Sequence, residues 1–135
     1  MKKSKKLILI LILIFVFGYL LYSDKPFETM TADEIKEIQV YAIPPSKEVF
    51  LDNTEIEYIL PLLQDLKVSK PGYQILAPMG GQTVKVTILK SDGSKVKISN
   101  FGNVMITIDR ISYRADYESA EALNVYANKV LKTGF

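Results

Sequence analysis

The chain has 135 residues, 48% of them hydrophobic, with 17 Lys and Arg against 15 Asp and Glu, and it contains no His, Cys or Trp. That length suits one folded domain rather than two, and the apolar content is enough for a core, which excludes a disordered chain. The missing residue types exclude disulfides, thiol nucleophiles, a Ser–His triad, lipid attachment through an N-terminal Cys and Cys/His zinc sites.

The charges are unevenly placed. Lys2, Lys3, Lys5 and Lys6 have no acidic neighbours, and the run from Leu7 to Tyr22 (LILILILIFVFGYLLY) carries no charge. Residues 23–135 therefore keep 13 basic and all 15 acidic side chains, a net charge of −2. The basic balance of the whole chain belongs to its tail, so no nucleic-acid surface is indicated. The 16 apolar residues would cover about 24 Å as a helix, a little short of a ~30 Å hydrocarbon core. Tyr19, Leu21 and Tyr22 stand where a signal-peptidase site needs small residues. An uncleaved signal anchor is therefore favoured, with cleavage and secretion as the alternative. Lysine stems and interfacial tyrosines cover the missing length. Lysines stay on the cytoplasmic side, which divides the chain into a cytoplasmic tail (1–6), a single-pass transmembrane anchor embedded in membrane lipid (7–22), a linker (23–34) and an extracytoplasmic domain (35–135).

In chain order, Ser23–Met30 (SDKPFETM) is polar and reads as linker, and Thr31–Glu34 as a helix cap or a strand entry. In Ile35–Ile43, Ile38, Val40 and Ala42 alternate with Glu37, Gln39 and Tyr41, the period of a strand. Pro44-Pro45 ends it, and Lys47–Leu51 is a short second strand pairing back. Asp52-Asn53-Thr54-Glu55 opens a helix over Asn53–Leu66 whose apolar stripe is Ile56, Ile59, Leu60, Leu63 and Leu66. Pro61 is expected to kink or split it near Leu60. Ser69–Gly81 holds two Pro and three Gly, hence a loop, though an apolar one through Tyr73 and Ile75–Met79. Then come Thr83–Lys90, a Ser91–Ser94 turn, Lys95–Ser99, a turn at Phe101-Gly102-Asn103, Val104–Ile108, a tight turn at Asp109-Arg110, and Ile111–Ala115: a four-strand antiparallel meander. Asp116 caps a last helix with the stripe Ala120, Leu123, Tyr126, Ala127, Val130 and Leu131, and Gly134 is a plausible stop. The expected fold class is α+β: an antiparallel sheet of this meander plus one or two N-terminal strands, covered by two helices and preceded by a transmembrane helix.

Chemical motifs are sparse. Ser94-Lys95-Val96-Lys97 fits the S-x-x-K acylation pattern, but on a strand Ser94 and Lys97 point to opposite faces, whereas the chemistry needs them on one side of a helix. The acid pairs Glu55/Glu57 and Glu118/Glu121 fit solvated helix faces better than a hydrolytic dyad. Asp92-Gly93-Ser94 lacks the further acids of a calcium loop, and Gly80-Gly81 precedes a strand, so neither a metal nor a phosphate cofactor is indicated. The candidate binding residues are aromatic: Tyr113 and Tyr117 bracket Arg114 and Asp116, and Tyr73 lies in the Pro/Gly loop. Tyr and Arg are favoured in recognition surfaces, although packing of the last helix onto the sheet, with the hydroxyls at the rim, accounts better for Tyr113 and Tyr117.

Through EIQVYAIPP, DNTEIEYILPLLQDL, VKVTILKSDGSKVKIS and ISYRADYESAEALNVYANKVL, the span from about Ile35 to Leu131 resembles small extracytoplasmic domains of unknown function in Gram-positive bacteria, held by one membrane segment or a lipid anchor. The chain departs from the lipid-anchored members because no Cys follows its apolar run. That resemblance implies a fold and a location but no active site. The expected function is non-catalytic binding of a protein, peptide or cell-wall component by a membrane-tethered module. The alternatives are an accessory subunit of a membrane complex, meeting it through Ile75–Met79, and a carboxylate-dependent hydrolase or an enzyme inhibitor.

Overall fold

The structure is a computed structural model and describes residues 2–21, 23–69, 71 and 81–133. Helix α1 (Lys2–Leu20) precedes a body containing β1 (Ile35–Ile43), β2 (Lys47–Phe50), α2 (Asn53–Asp65), β3 (Val68–Ser69), β4 (Thr83–Lys90), β5 (Lys95–Phe101), β6 (Met105–Ile108), β7 (Ile111–Ala115) and α3 (Tyr117–Leu131). The strands form one seven-stranded sheet in the order β2-β1-β4-β5-β6-β7-β3, every neighbouring pair antiparallel. This is an α+β fold.

The body follows from period-two strands closed by two amphipathic helices. Ile38, Val40, Ala42, Val84, Val86, Ile88, Ile98 and Ile106 point to one face and are buried there. They meet Ile59 and Leu63 of α2 and Ala120, Leu123 and Ala127 of α3, all fully buried. Small alanines on α3 let that helix approach closely, and Leu123 fills the space between them. Both helices start on capping aspartates. The Asp52 carboxylate accepts from the Glu55 N–H (2.8 Å) while Glu55 accepts from the Asp52 N–H (3.0 Å), a complete capping box. The Asp116 carboxylate accepts from the Ser119 N–H at 3.1 Å.

Several expectations change against the structure. Helix α2 runs unbroken through Pro61 and ends at Asp65, with Leu66 as its C-cap, so it is not split. Pro61 and Glu57, the residue whose carbonyl loses its partner, are both exposed, so the missing hydrogen bond lies on the solvent side of the helix rather than against the core. Helix α3 ends with Lys132 in the left-handed conformation (φ 54°), two residues before Gly134, which lies outside the described residues. Strand β5 continues to Phe101, and Val104 belongs to the turn rather than to β6. Gly102 takes φ +62° there and Asn103 φ +65°, a conformation Gly and Asn adopt readily. The buried Asn100 holds this turn by accepting from the Asn103 N–H (2.9 Å) and donating to the Ala120 carbonyl of α3 (3.0 Å).

The seventh strand, β3, has no counterpart among the expected strands. It is only two residues long, pairs with the end of β7 (Val68 opposite Ala115, Ser69 opposite Arg114), and occupies the far edge of the sheet. The expected linker also differs. Phe27 and Met30 are buried in the core at 8% and 5% exposure. The Met30 carbonyl accepts from the Gln64 side chain at 2.7 Å. Asp24 forms a two-way backbone bridge with Val68, N–H to carbonyl in each direction at 2.9 Å. This segment is part of the body, ending in a 3-10 turn at Ala32–Glu34 that leads into β1.

Helix α1 continues by one hydrogen bond from the Leu21 N–H to the Phe17 carbonyl (2.9 Å). Its apolar side chains from Leu7 to Phe17 are each 48–80% exposed, on every side of the helix. Four lysines occupy its N-terminal part, and among the described residues no helix is long and apolar enough by itself to cross a membrane.

Candidate functional site

Strand alternation divides the sheet into two chemically different faces. The inner face carries the core and both body helices. On the outer face no helix or strand packs among the described residues. Register places three rows of side chains there: Phe50, Gln39, Thr87 and Lys97; Glu48, Tyr41, Lys85, Ser99, Thr107 and Ser112; and Ile43, Thr83, Phe101, Met105 and Arg114. Lys85, Lys95, Lys97 and Arg114 are exposed, as are Glu37 and Glu48, and Phe50 (56%) and Ile43 (44%) add apolar surface at one end. The Gln39 amide donates to Glu48 at 2.8 Å, and Thr107 and Ser112 share a hydroxyl hydrogen bond at 3.2 Å. The face thus presents four cations, two anions, hydroxyls and a few aromatic rings.

The helical layer has the opposite charge. Helices α2 and α3 with their capping residues hold Asp52, Glu55, Glu57, Asp65, Asp116, Glu118 and Glu121, against Lys129 and Lys132. The net charge of −2 on the body therefore conceals a basic sheet face and an acidic helix face. An anionic partner is steered to the former.

The aromatic candidates do not gather at one place. Tyr113 sits opposite Ile106 on the inner face, half-buried and packed against the core. Arg114 is its strand neighbour and therefore points to the outer face, opposite Met105 on one side and Ser69 on the other. Tyr117 opens α3 and is 54% exposed. Tyr73, with the Ile75–Met79 loop, lies outside the described residues. Of the four, Arg114 shares the uncovered face.

A second surface feature runs between the helices. Tyr58 and Tyr126 stack with ring centres 6.4 Å apart and planes 25° from parallel. The Tyr126 hydroxyl donates to the Glu55 carbonyl at 3.1 Å. Thr54, Lys129 and Lys132 line an open depression beside them. Partial burial raises the Tyr126 pKa above the ordinary phenol value, helped by the charges of Glu55 and Asp52. Tyr58 and Tyr126 belong to different helices, so their pairing needs the packing of α2 on α3 and is invisible to local spacing.

The remaining motifs have structural partners. Asp92 accepts from both the N–H (2.9 Å) and the hydroxyl (2.6 Å) of Ser94. The Ser94 hydroxyl bond leads in holding the Asp92 carboxyl below its ordinary pKa. Ser94 is thereby committed to its turn, and Gly93 supplies the φ of +90° that the turn needs. Glu55 is engaged in the capping box, and Glu118 and Glu121 line an open depression with Ala122 and Val125. Among the described residues no cluster of three Asp or Glu side chains is placed to hold a metal ion. Comparison of the chain with protein-family profiles, with curated proteins and with solved structures finds no match.

Proposed function

We propose that this protein is a membrane-tethered extracytoplasmic binding module, with α1 as its anchor and the uncovered sheet face as its contact surface for a protein, peptide or wall component. The observation that carries the reading is α1 itself. Full burial of one Leu, Ile or Phe side chain is worth ~1.5–3 kcal/mol, so eleven consecutive half-exposed ones put on the order of 10 kcal/mol at stake. A soluble domain rarely leaves so large an apolar surface in water. Because the apolar residues surround the helix rather than forming a stripe, insertion across the bilayer suits it better than lying flat in the interface. The four lysines snorkel at one end and set its orientation.

The binding half of the reading rests on the sheet. Carboxylates are spread along solvated helix faces, whereas cations, hydroxyls and aromatic rings share a broad open surface. Such a surface suits recognition rather than enclosure of a small substrate.

Capture of tagged full-length protein from its native membrane, after crosslinking on intact cells, tests the proposal. The double substitution Lys85→Glu/Lys97→Glu should reduce partner recovery several-fold while leaving the melting temperature nearly unchanged, since exposed substitutions stay within about 0.5 kcal/mol. Equal recovery by the variant would reject this face as the contact surface. Survival of the body when protease digests exposed control proteins on whole cells would reject the extracytoplasmic placement.

A further inference from the structure

We infer that the body does not swing on a tether but rides directly on the headgroup layer of the bilayer, with its β3 edge toward the lipid. This rests on the proposed membrane insertion of α1 and specifies which part of the body meets the lipid surface. Helical hydrogen bonding reaches Leu21, and Asp24 is already locked to the body by its two backbone hydrogen bonds to Val68. Only Tyr22 and Ser23 separate them. Three peptide steps span at most about 11 Å. The lock has little give, because Phe27 and Met30 immediately after it are buried in the core and the Met30 carbonyl is held by Gln64.

Lys25, Lys67 and Arg114 lie around the β3 edge and are exposed, which suits contact with anionic headgroups. The opposite edge, β2, is six strand spacings away, about 29 Å at ~4.8 Å each. A body of this size is about 35 Å across, so its whole reach lies within that distance of the membrane surface.

The absence of Cys makes the test direct. Single variants Lys67→Cys and Glu48→Cys of the full-length protein carry a nitroxide label in phosphatidylcholine–phosphatidylglycerol vesicles doped with a nickel-chelating headgroup lipid. The label at position 67 should relax several-fold more strongly than that at position 48, and a twelve-residue Gly/Ser spacer between Tyr22 and Ser23 should erase the difference. Equal weak relaxation at both sites, in protein that floats with the vesicles, overturns the inference and leaves the anchor intact. Strong relaxation at position 67 that persists with the spacer overturns the short stem as its cause. Protein that fails to float with the vesicles overturns the anchor, and the inference falls with it.

Discussion

The amide pair Gln82–Asn128 offers the sharpest test of how the body is held together. Both side chains are buried, at 8% and 3% exposure, and each donates to the other at 2.7 Å. Gln82 also donates to the Pro44 carbonyl (3.0 Å), and Asn128 to the Asn124 carbonyl (3.0 Å), so one pair ties the approach to β4, the turn after β1 and the last turn of α3. Asn128→Leu leaves the Gln82 carbonyl oxygen without its donor and its amide nitrogen with Pro44 alone. An orphaned buried polar group costs about 1–3 kcal/mol, so a loss of roughly 2–3 kcal/mol is expected once the helix contacts of Asn128 are included. For a folded body of this size that is a fall of about 8–12 °C in melting temperature. The double variant Gln82→Met/Asn128→Leu removes both polar partners and should regain about 1–2 kcal/mol over the sum of the single effects. Urea unfolding of the full-length chain in mild detergent, followed by tyrosine fluorescence, gives the cycle. Strict additivity would show that the two amides do not depend on each other and would refute the reasoning.

Three further outcomes are expected. Phe27→Ala should cost about 3 kcal/mol, the low end for a buried aromatic because the site lies at the margin of the core; a change below 0.5 kcal/mol in a denaturant midpoint would mean that residues 23–34 behave as a linker after all. Asp52→Ala removes one half of the capping box and should cost about 1 kcal/mol, with Asp52→Ser recovering most of it by thermal melting. Partial burial raises the folded pKa of Tyr126, so its contribution to stability is full below the unfolded value near 10 and is lost as pH rises through the folded value, and Tyr126→Phe should flatten that part of a urea-midpoint against pH curve.

The parts of the fold that were legible in the sequence are those where one physical signal repeats. Ile38, Val40 and Ala42, or Val84, Val86 and Ile88, announce a strand and its buried face together, because a period of two admits only one register on a one-sided core. Asp52 and Asp116 mark helix starts through hydrogen bonds three residues long. Strand β3 has no such signal, since two residues hold no period and its pairing depends on β7, far along the chain. Phe27 and Met30 stand among charged residues and look like linker until Gln64 and the sheet edge are in place. The candidate site was less legible for the same reason. Tyr113 and Arg114 are adjacent in sequence, yet a strand sends them to opposite faces. The basic face draws Lys85, Lys97 and Arg114 from three separate strands.

The order of strands in the sheet also bears on how a nascent chain acquires its shape. Strand β1 is synthesised early but finds its main partner only in β4, and β3 waits for β7, the last strand made. The segments β4 to β7 can zip up as successive hairpins through local contacts, while the earlier strands must be recruited across long loops. Helix α3 follows every strand of the sheet in the chain, and its Ala120, Leu123 and Ala127 shut the interior. A chain cut short before α3 is therefore left with a paired sheet whose apolar inner face is half bare, the kind of surface that quality-control proteases attack.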